Sequence, residues 1–249
     1  MSAGPAARPT LAVIIPALNE QETIADQVAE VLAVAASPDL PARVSQVIVI
    51  DNGSDDSTAV QATAAGARVV SEPRRGYGRA CFSGVLAAED VDYIVQMDGD
   101  RSDRFAELPL LLAPILAGEA DLVIGSRTLG SYEPGSLQPQ QLFGNWLAAR
   151  MLGALYGVRV TDIGPFRVIG RQQLLGLGMR EMTYGWSVEM IARAARQGLR
   201  VREVPVTYRL RAGGESKVSG NLRASVRAGY RIIGTILRCR TDSPLADTR

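Results

Sequence analysis

Tyr93-Ile94-Val95-Gln96-Met97-Asp98-Gly99-Asp100-Arg101-Ser102-Asp103 is a short apolar run that breaks abruptly into an acidic loop. Comparable runs stand at 11–15, 44–50, 67–70 and 122–124, and each reads, like 93–97, as a buried strand. The stretches between them, 22–35, 58–65, 77–88 and 105–117, have the length and pattern of crossover helices. This alternation predicts an α/β protein, a Rossmann-like α/β/α sandwich around a mostly parallel central sheet, which binds ligands beyond the carboxyl ends of its strands.

Three strand ends are unusually polar: Pro16-Ala17-Leu18-Asn19-Glu20, Asp51-Asn52-Gly53-Ser54-Asp55-Asp56-Ser57, and 98–103. Helix capping accounts for part of this, through Asn19 with Glu22 three residues on, and through Asp56, Ser57 and Asp103 as N-caps. It does not account for whole clusters. In an extended chain Asp98 and Asp100 share one face, so their carboxylates can bind a hard cation, Mg2+ or Mn2+. An isolated Asp-x-Asp is most often a solvated turn. Here the pair ends a buried strand and shares its rim with Asp51 and Glu20. A calcium loop is excluded, because the position due a bidentate glutamate holds Pro109.

The chain contains no histidine. A hydroxyl acceptor at this rim would therefore need a carboxylate as base, with Asp162 and Glu189 the candidates, whereas a phosphate acceptor needs none. Arg74-Arg75-Gly76-Tyr77-Gly78-Arg79 opens a helix with glycines and positive charge, a natural anion site, but lacks the Gly-Lys-Ser/Thr of a P-loop and has Cys81 where a dinucleotide fingerprint needs glycine. Gly125-Ser126-Arg127 ends a strand and aims an arginine at the rim. The basic segment 208–217 reads either as a solvated linker or as a lid over phosphates.

The second half carries a helical stretch at 140–156, a Gly-Pro turn at 164–165, a helix over 186–197, a strand at 201–206 and a last helix over 221–240. Trp186 and Met190, four apart, suit either a helix's core face or a ligand pocket. In the last helix Val226, Tyr230, Ile233 and Leu237 form a stripe among five arginines. Such a helix can lie in a membrane interface; the simpler expectation is that the stripe packs on the core and leaves the arginines in water.

At 249 residues and 47% hydrophobic, the chain can bury one substantial core. The expected division is a flexible tail at 1–10, one domain over 11–240 with a donor-binding half (11–128) and an acceptor-binding half (129–240), and a tail at 241–249. A formal charge of +1 excludes a dedicated nucleic-acid binder. Cys81 and Cys239 lack metal-site or disulfide-framework spacing. Neither a signal peptide nor an apolar run of about 20 residues is present, which predicts a cytoplasmic protein, at most peripheral at the inner face of the membrane.

Taken in order, 13–20, 50–58, 97–100, Gly125-Ser126-Arg127 and Gly214-Glu215-Ser216-Lys217 resemble family 2 glycosyltransferases, most closely the dolichol-phosphate or polyprenyl-phosphate mannose and glucose synthases. The resemblance spans roughly residues 11–220. It implies a GT-A fold and an inverting transfer from a UDP- or GDP-hexose to a lipid phosphate or another acceptor. It implies nucleotide-sugar binding by Pro16, Asn19, Glu20, Asp51, Gly78, Asp98 and Gly99, and a metal on Asp98 and Asp100. Arg127, Arg209, Arg211 and Lys217 match the basic positions near donor and acceptor phosphates; Asp100, Arg127, Asp162, Glu189 and Lys217 are the catalytic candidates. The chain departs from the family at Asn52, where aspartate is usual, and at Asp162-Ile163-Gly164-Pro165-Phe166-Arg167, and it carries no C-terminal membrane helix. A nucleotide-sugar-binding protein without turnover is the alternative of another class.

Overall fold

The computed structural model describes residues 8–213 and 222–241, without the side chains of 222–226. Seven strands form one sheet in the order β3-β2-β1-β4-β6-β5-β7. They are β1 (Thr10–Ala17), β2 (Arg43–Asp51), β3 (Arg68–Ser71), β4 (Tyr93–Gln96), β5 (Leu122–Tyr132), β6 (Arg167–Gly170) and β7 (Val201–Tyr208). β6 runs antiparallel to both its neighbours, β4 and β5; all other pairs are parallel.

Alternation along β1 shows why the sheet is covered twice. Ala12 and Ile14 face one core with α3 (Tyr77–Ala87), α5 (Pro139–Tyr156), α6 (Arg171–Gly176), α7 (Trp186–Arg196) and α8 (Leu222–Thr241). Leu11, Val13 and Ile15 face a second core with α1 (Ile24–Ala35), α2 (Thr58–Ala64) and α4 (Leu108–Leu116). A strand buried on both faces must be apolar, and β1 is from Leu11 onward.

Three expectations are corrected. β6 and the short α6 that follows it are absent from the sequence reading, since a four-residue strand opening on Arg167 has no periodicity to show. β5 does not end with Gly125-Ser126-Arg127; it continues to Tyr132, with a register break between Ser126 and Ser131, because β7 pairs with its polar end. Of the stripe on α8, the Val226 side chain lies outside the described residues, Ile233 is half-buried, and Tyr230 and Leu237 face outward rather than into the core. Tyr230 is 78% exposed and Leu237 50%, while Ala228, Thr235, Ile236 and Cys239 are buried. Helical periodicity shows which residues share a face, and here the smaller side chains are the ones that fit against α5 and α7.

Candidate active site

The carboxyl ends of β1, β2 and β4 meet in one laced rim. Asn19 adopts a left-handed backbone (φ 53°), its side-chain oxygen accepts the Asp55 N–H (2.9 Å), and its own N–H donates to Ser54 Oγ (3.0 Å). The Glu20 N–H donates to Thr58 Oγ1 at 2.8 Å. Asn19 therefore braces the second loop instead of capping α1, whose N-cap is Thr23. Asp56 does serve α2, accepting the Thr58 N–H at 2.9 Å. Asp51 accepts the Ser54 N–H at 3.1 Å.

Asn52 explains its own departure from the family pattern. It is 4% exposed; its amide NH2 donates to the Glu72 and Arg74 carbonyls (2.9 Å each) and its oxygen accepts the Gly76 N–H (2.7 Å). A carboxylate could keep only the last of these. Asn52→Asp is expected to cost about 1–3 kcal/mol by setting a buried anion against two carbonyl oxygens, read as a lower urea midpoint; an unchanged midpoint would refute this account of Asn52.

Asp98 lies half-buried and accepts from the Tyr77 hydroxyl at 3.1 Å. Asp100 accepts the Ser102 N–H at 3.0 Å and stands 3.4 Å from Arg211, which also pairs with Glu20. Burial, and then the charge of Asp100, lift the Asp98 carboxyl to about 7. Asp103 is 1% exposed and not a solvated cap; burial, then Asp98 and Asp100, push its carboxyl well above the usual range. This crowding of negative charge is what a divalent cation relieves, and the ligands on offer are hard oxygens. Among the described residues no three acidic, thiol or imidazole groups close a cage, so two carboxylates with open remaining positions fit Mg2+ or Mn2+ shared with a substrate.

Arg127 is held bidentately by Asp162, Nε and Nη2 each at 2.7 Å, and lies over the Tyr208 ring, 4.9 Å from its centroid. Asp162 also accepts from the Arg127 and Ile163 N–H groups and from the Asn145 amide (3.0, 2.8 and 2.9 Å). Burial opposes its ionisation, yet the Arg127 guanidinium holds it below the ordinary carboxylate range. Such a group positions an arginine; it is not free to take a proton. Glu189 is likewise spent: fully buried, it accepts from the Arg180 and Glu181 N–H groups and from Arg193 Nε (2.9, 2.6 and 2.8 Å). Trp186 and Met190 are core.

A cavity of about 870 Å3 runs from this rim to α5 and α8. Pro16, Glu20, Asp98, Gly99, Asp100, Arg127 and Arg211 line it; Asn19, Asp51, Gly78, Asp162, Glu189 and Arg209 do not. Lys217 lies outside the described residues. Gly78 has a different use from the one its glycine-rich setting predicts. A Cβ there would stand 2.3 Å from the Glu181 carbonyl oxygen, and the Gly78 and Arg79 N–H groups already donate to Thr183 and Met182 carbonyls (3.2 and 3.0 Å). The glycine admits the close approach of residues 181–183. Sequence reasoning missed Tyr77, Asn145, Tyr208 and the α8 arginines Arg227 and Arg231 as lining residues; only proximity in space could reveal them. It also missed Arg167, which is buried and donates to the carbonyls of Ile163, Gly164 and Ser187, fixing the Gly-Pro turn at the cavity wall.

A family model described as Glycosyl transferase family 2 matches residues 12–175. An uncharacterized glycosyltransferase of Mycobacterium tuberculosis is 40% identical over 218 residues, spanning 87% of this chain and 93% of that protein. The undecaprenyl-phosphate mannosyltransferase of Micrococcus luteus is 33% identical over 202 residues, or 72% of this chain and 77% of that protein. The crystal structure of Mycobacterium tuberculosis glucosyl-3-phosphoglycerate synthase with Mn2+, uridine diphosphate and glucosyl-3-phosphoglycerate superposes with a TM-score of 0.74 at 26% identity, covering 94% of this chain and 81% of that one.

Proposed function

Since the chain belongs to glycosyltransferase family 2, with the GT-A fold and the activity class of a hexosyltransferase, we propose that it moves a hexose, with inversion, from a UDP- or GDP-sugar to the phosphate of a polyprenyl phosphate. The observation that carries this reading is the acceptor end of the cavity. Asp162 and Glu189, the carboxylates best suited to activate a hydroxyl, are both fully committed to other donors. A phosphate brings its own anionic oxygen at neutral pH. The likeness to a mannosyltransferase named for undecaprenyl phosphate supports the same acceptor class.

In this reading the loops at Pro16–Glu20 and Asp51 receive the nucleoside. Asp98 and Asp100 would hold a divalent ion, which when bound supplies neutralisation of the departing diphosphate. Arg127, fixed by Asp162 and Tyr208, faces the same phosphates without having to reorganise. The acceptor oxygen forms a bond to the anomeric carbon from the opposite side as the carbon–oxygen bond to the diphosphate breaks, and the electron pair leaves with the diphosphate. On α5 the exposed rings of Phe143 (62%) and Trp146 (56%) lie together, and Tyr230 is exposed on α8; such aromatic side chains suit the surface of the membrane that holds such an acceptor. Among the described residues no helix is long and apolar enough to cross a membrane.

Radiolabelled UDP- or GDP-hexose with a short polyprenyl phosphate and Mn2+ is expected to yield a lipid-linked product that EDTA abolishes. Transfer surviving EDTA would remove the metal assignment, and nucleotide binding without turnover would favour the non-catalytic alternative. Trp186 is buried and Trp146 exposed, so a blue shift of tryptophan emission on anionic vesicles reports Trp146; its absence removes the membrane face. A second reading, transfer to the hydroxyl of a small phosphorylated acid, draws on the likeness to the synthase solved with glucosyl-3-phosphoglycerate, and product formation with such acceptors alone would select it.

A further inference from the structure

Five guanidinium groups line the cavity: Arg75, Arg127, Arg211, Arg227 and Arg231. Three are already neutralised. Arg75 pairs with Asp55 at 2.6 Å, Arg127 with Asp162 at 2.7 Å, and Arg211 with both Glu20 and Asp100. Among the described residues Arg227 and Arg231 have no ion-pair partner. They are four apart on α8, which sets them one turn apart on a single helix face, and both remain exposed to the cavity's solvent.

The helix that carries them is fastened, not loosely appended. Glu181, itself 3% exposed, accepts from Thr235 Oγ1 (3.2 Å) and from Arg238 (2.9 Å); Tyr156 and Arg196 donate to the carbonyls of Ile236 and Cys239. The same cavity is lined by Asn145, whose amide is taken by Asp162, and by Ile163 and Pro165 of the stiff Gly-Pro turn. A ligand entering the cavity meets two unspent positive charges on a fastened helix, besides the arginines already paired with carboxylates. Guanidinium forks bind phosphate oxygens in parallel pairs, and a doubly charged monoester matches two of them.

We infer that Arg227 and Arg231 form the binding site for the acceptor's phosphate monoester, a role that rests on the phosphate-acceptor reading above and moves that subsite from the segment 208–217 to the C-terminal helix. The chemistry is shared by a lipid phosphate and by a small phosphorylated acid, so both serve as probes.

Steady-state transfer and calorimetric binding should be measured with farnesyl phosphate and, separately, 3-phosphoglycerate, for the wild type, Arg227→Gln, Arg231→Gln, the double variant and Arg240→Gln. Arg240 is exposed on α8 and does not line the cavity. For the probe the enzyme uses, KM is expected to rise about tenfold for each single variant and on the order of a hundredfold for both, with UDP or GDP binding and Arg240→Gln unaffected. The arm that responds identifies the source of the phosphate. Product formed with an unchanged KM in the double variant overturns the inference and leaves the proposed function standing. An equal response to Arg240→Gln overturns it too, since bulk charge would then suffice. Probe binding that depends on the pair, without product on either probe, keeps the site and overturns the function. Binding of neither probe by the wild type overturns the site.

Discussion

Asp100→Asn is expected to lower kcat by on the order of 10²–10³-fold and to abolish the dependence of nucleotide binding on Mn2+. The substitution is chosen to separate charge from structure. Asp100 accepts the Ser102 N–H at 3.0 Å, and the amide oxygen of asparagine can go on doing so, which preserves the turn. What is lost is one of the two negative charges available to a cation, and half of the balance against Arg211, which stands 3.4 Å away. Asp98 would then be left as the sole carboxylate of the pair, and one of its oxygens also accepts from Tyr77. The measurements are single-turnover transfer and UDP or GDP thermal shifts with and without Mn2+, where ligand binding raises the melting temperature by mass action. Activity within a few-fold of wild type, or a Mn2+-dependent shift that persists in the variant, would dismiss Asp100 as a metal ligand.

The second large effect is on stability. Asp162→Ala is expected to destabilise the fold by about 3–5 kcal/mol, because it strands the buried Arg127 guanidinium without its counter-ion. Arg127→Met combined with Asp162→Ala should cost less than Asp162→Ala alone, a non-additivity that urea unfolding can measure. The pH dependence follows from the direction of the shift. The folded-state carboxyl lies below the unfolded value near 3.8, so the pair's contribution is fully present above that value and is lost as pH falls through the lower, folded one. Asp162→Asn should therefore flatten the acid limb of stability. If Asp162 were instead a general base, Asp162→Asn would remove activity with the unfolding midpoint unchanged, and that outcome would reverse the assignment made here.

Much of the carboxylate rim was legible in the sequence because its signals are local. A strand buried on both faces must be apolar along its length, and an acidic break such as 97–100 follows directly in the chain. The rest of the cavity's surroundings was not, because the roles of those residues are settled by distant partners. Asp162 and Glu189 look like free carboxylates until Arg127 and Arg193 are seen beside them. Gly76 and Gly78 look like an anion cradle until residues 181–183 are found against them. The α8 stripe has a correct period and the opposite facing, since nothing in the sequence says that Ala228 and Cys239 pack inward while Tyr230 points out. The clustering of Pro16, Glu20, Asp98, Asp100 and Arg127 about one cavity could be anticipated; the arrival of α8 arginines at its far end could not.

The insertion of β6 between β4 and β5 has a consequence for how such a molecule can change. A fragment ending at residue 128 would contain β4 and the part of β5 that pairs with β6, but not β6 itself, leaving two unsatisfied edges in the middle of the sheet. The two ends of the cavity are thus woven together and cannot be traded between proteins as cassettes. If the acceptor binds as proposed, altered acceptor choice is open to this scaffold chiefly through substitutions along α5 and α8, on a sheet that has to stay whole.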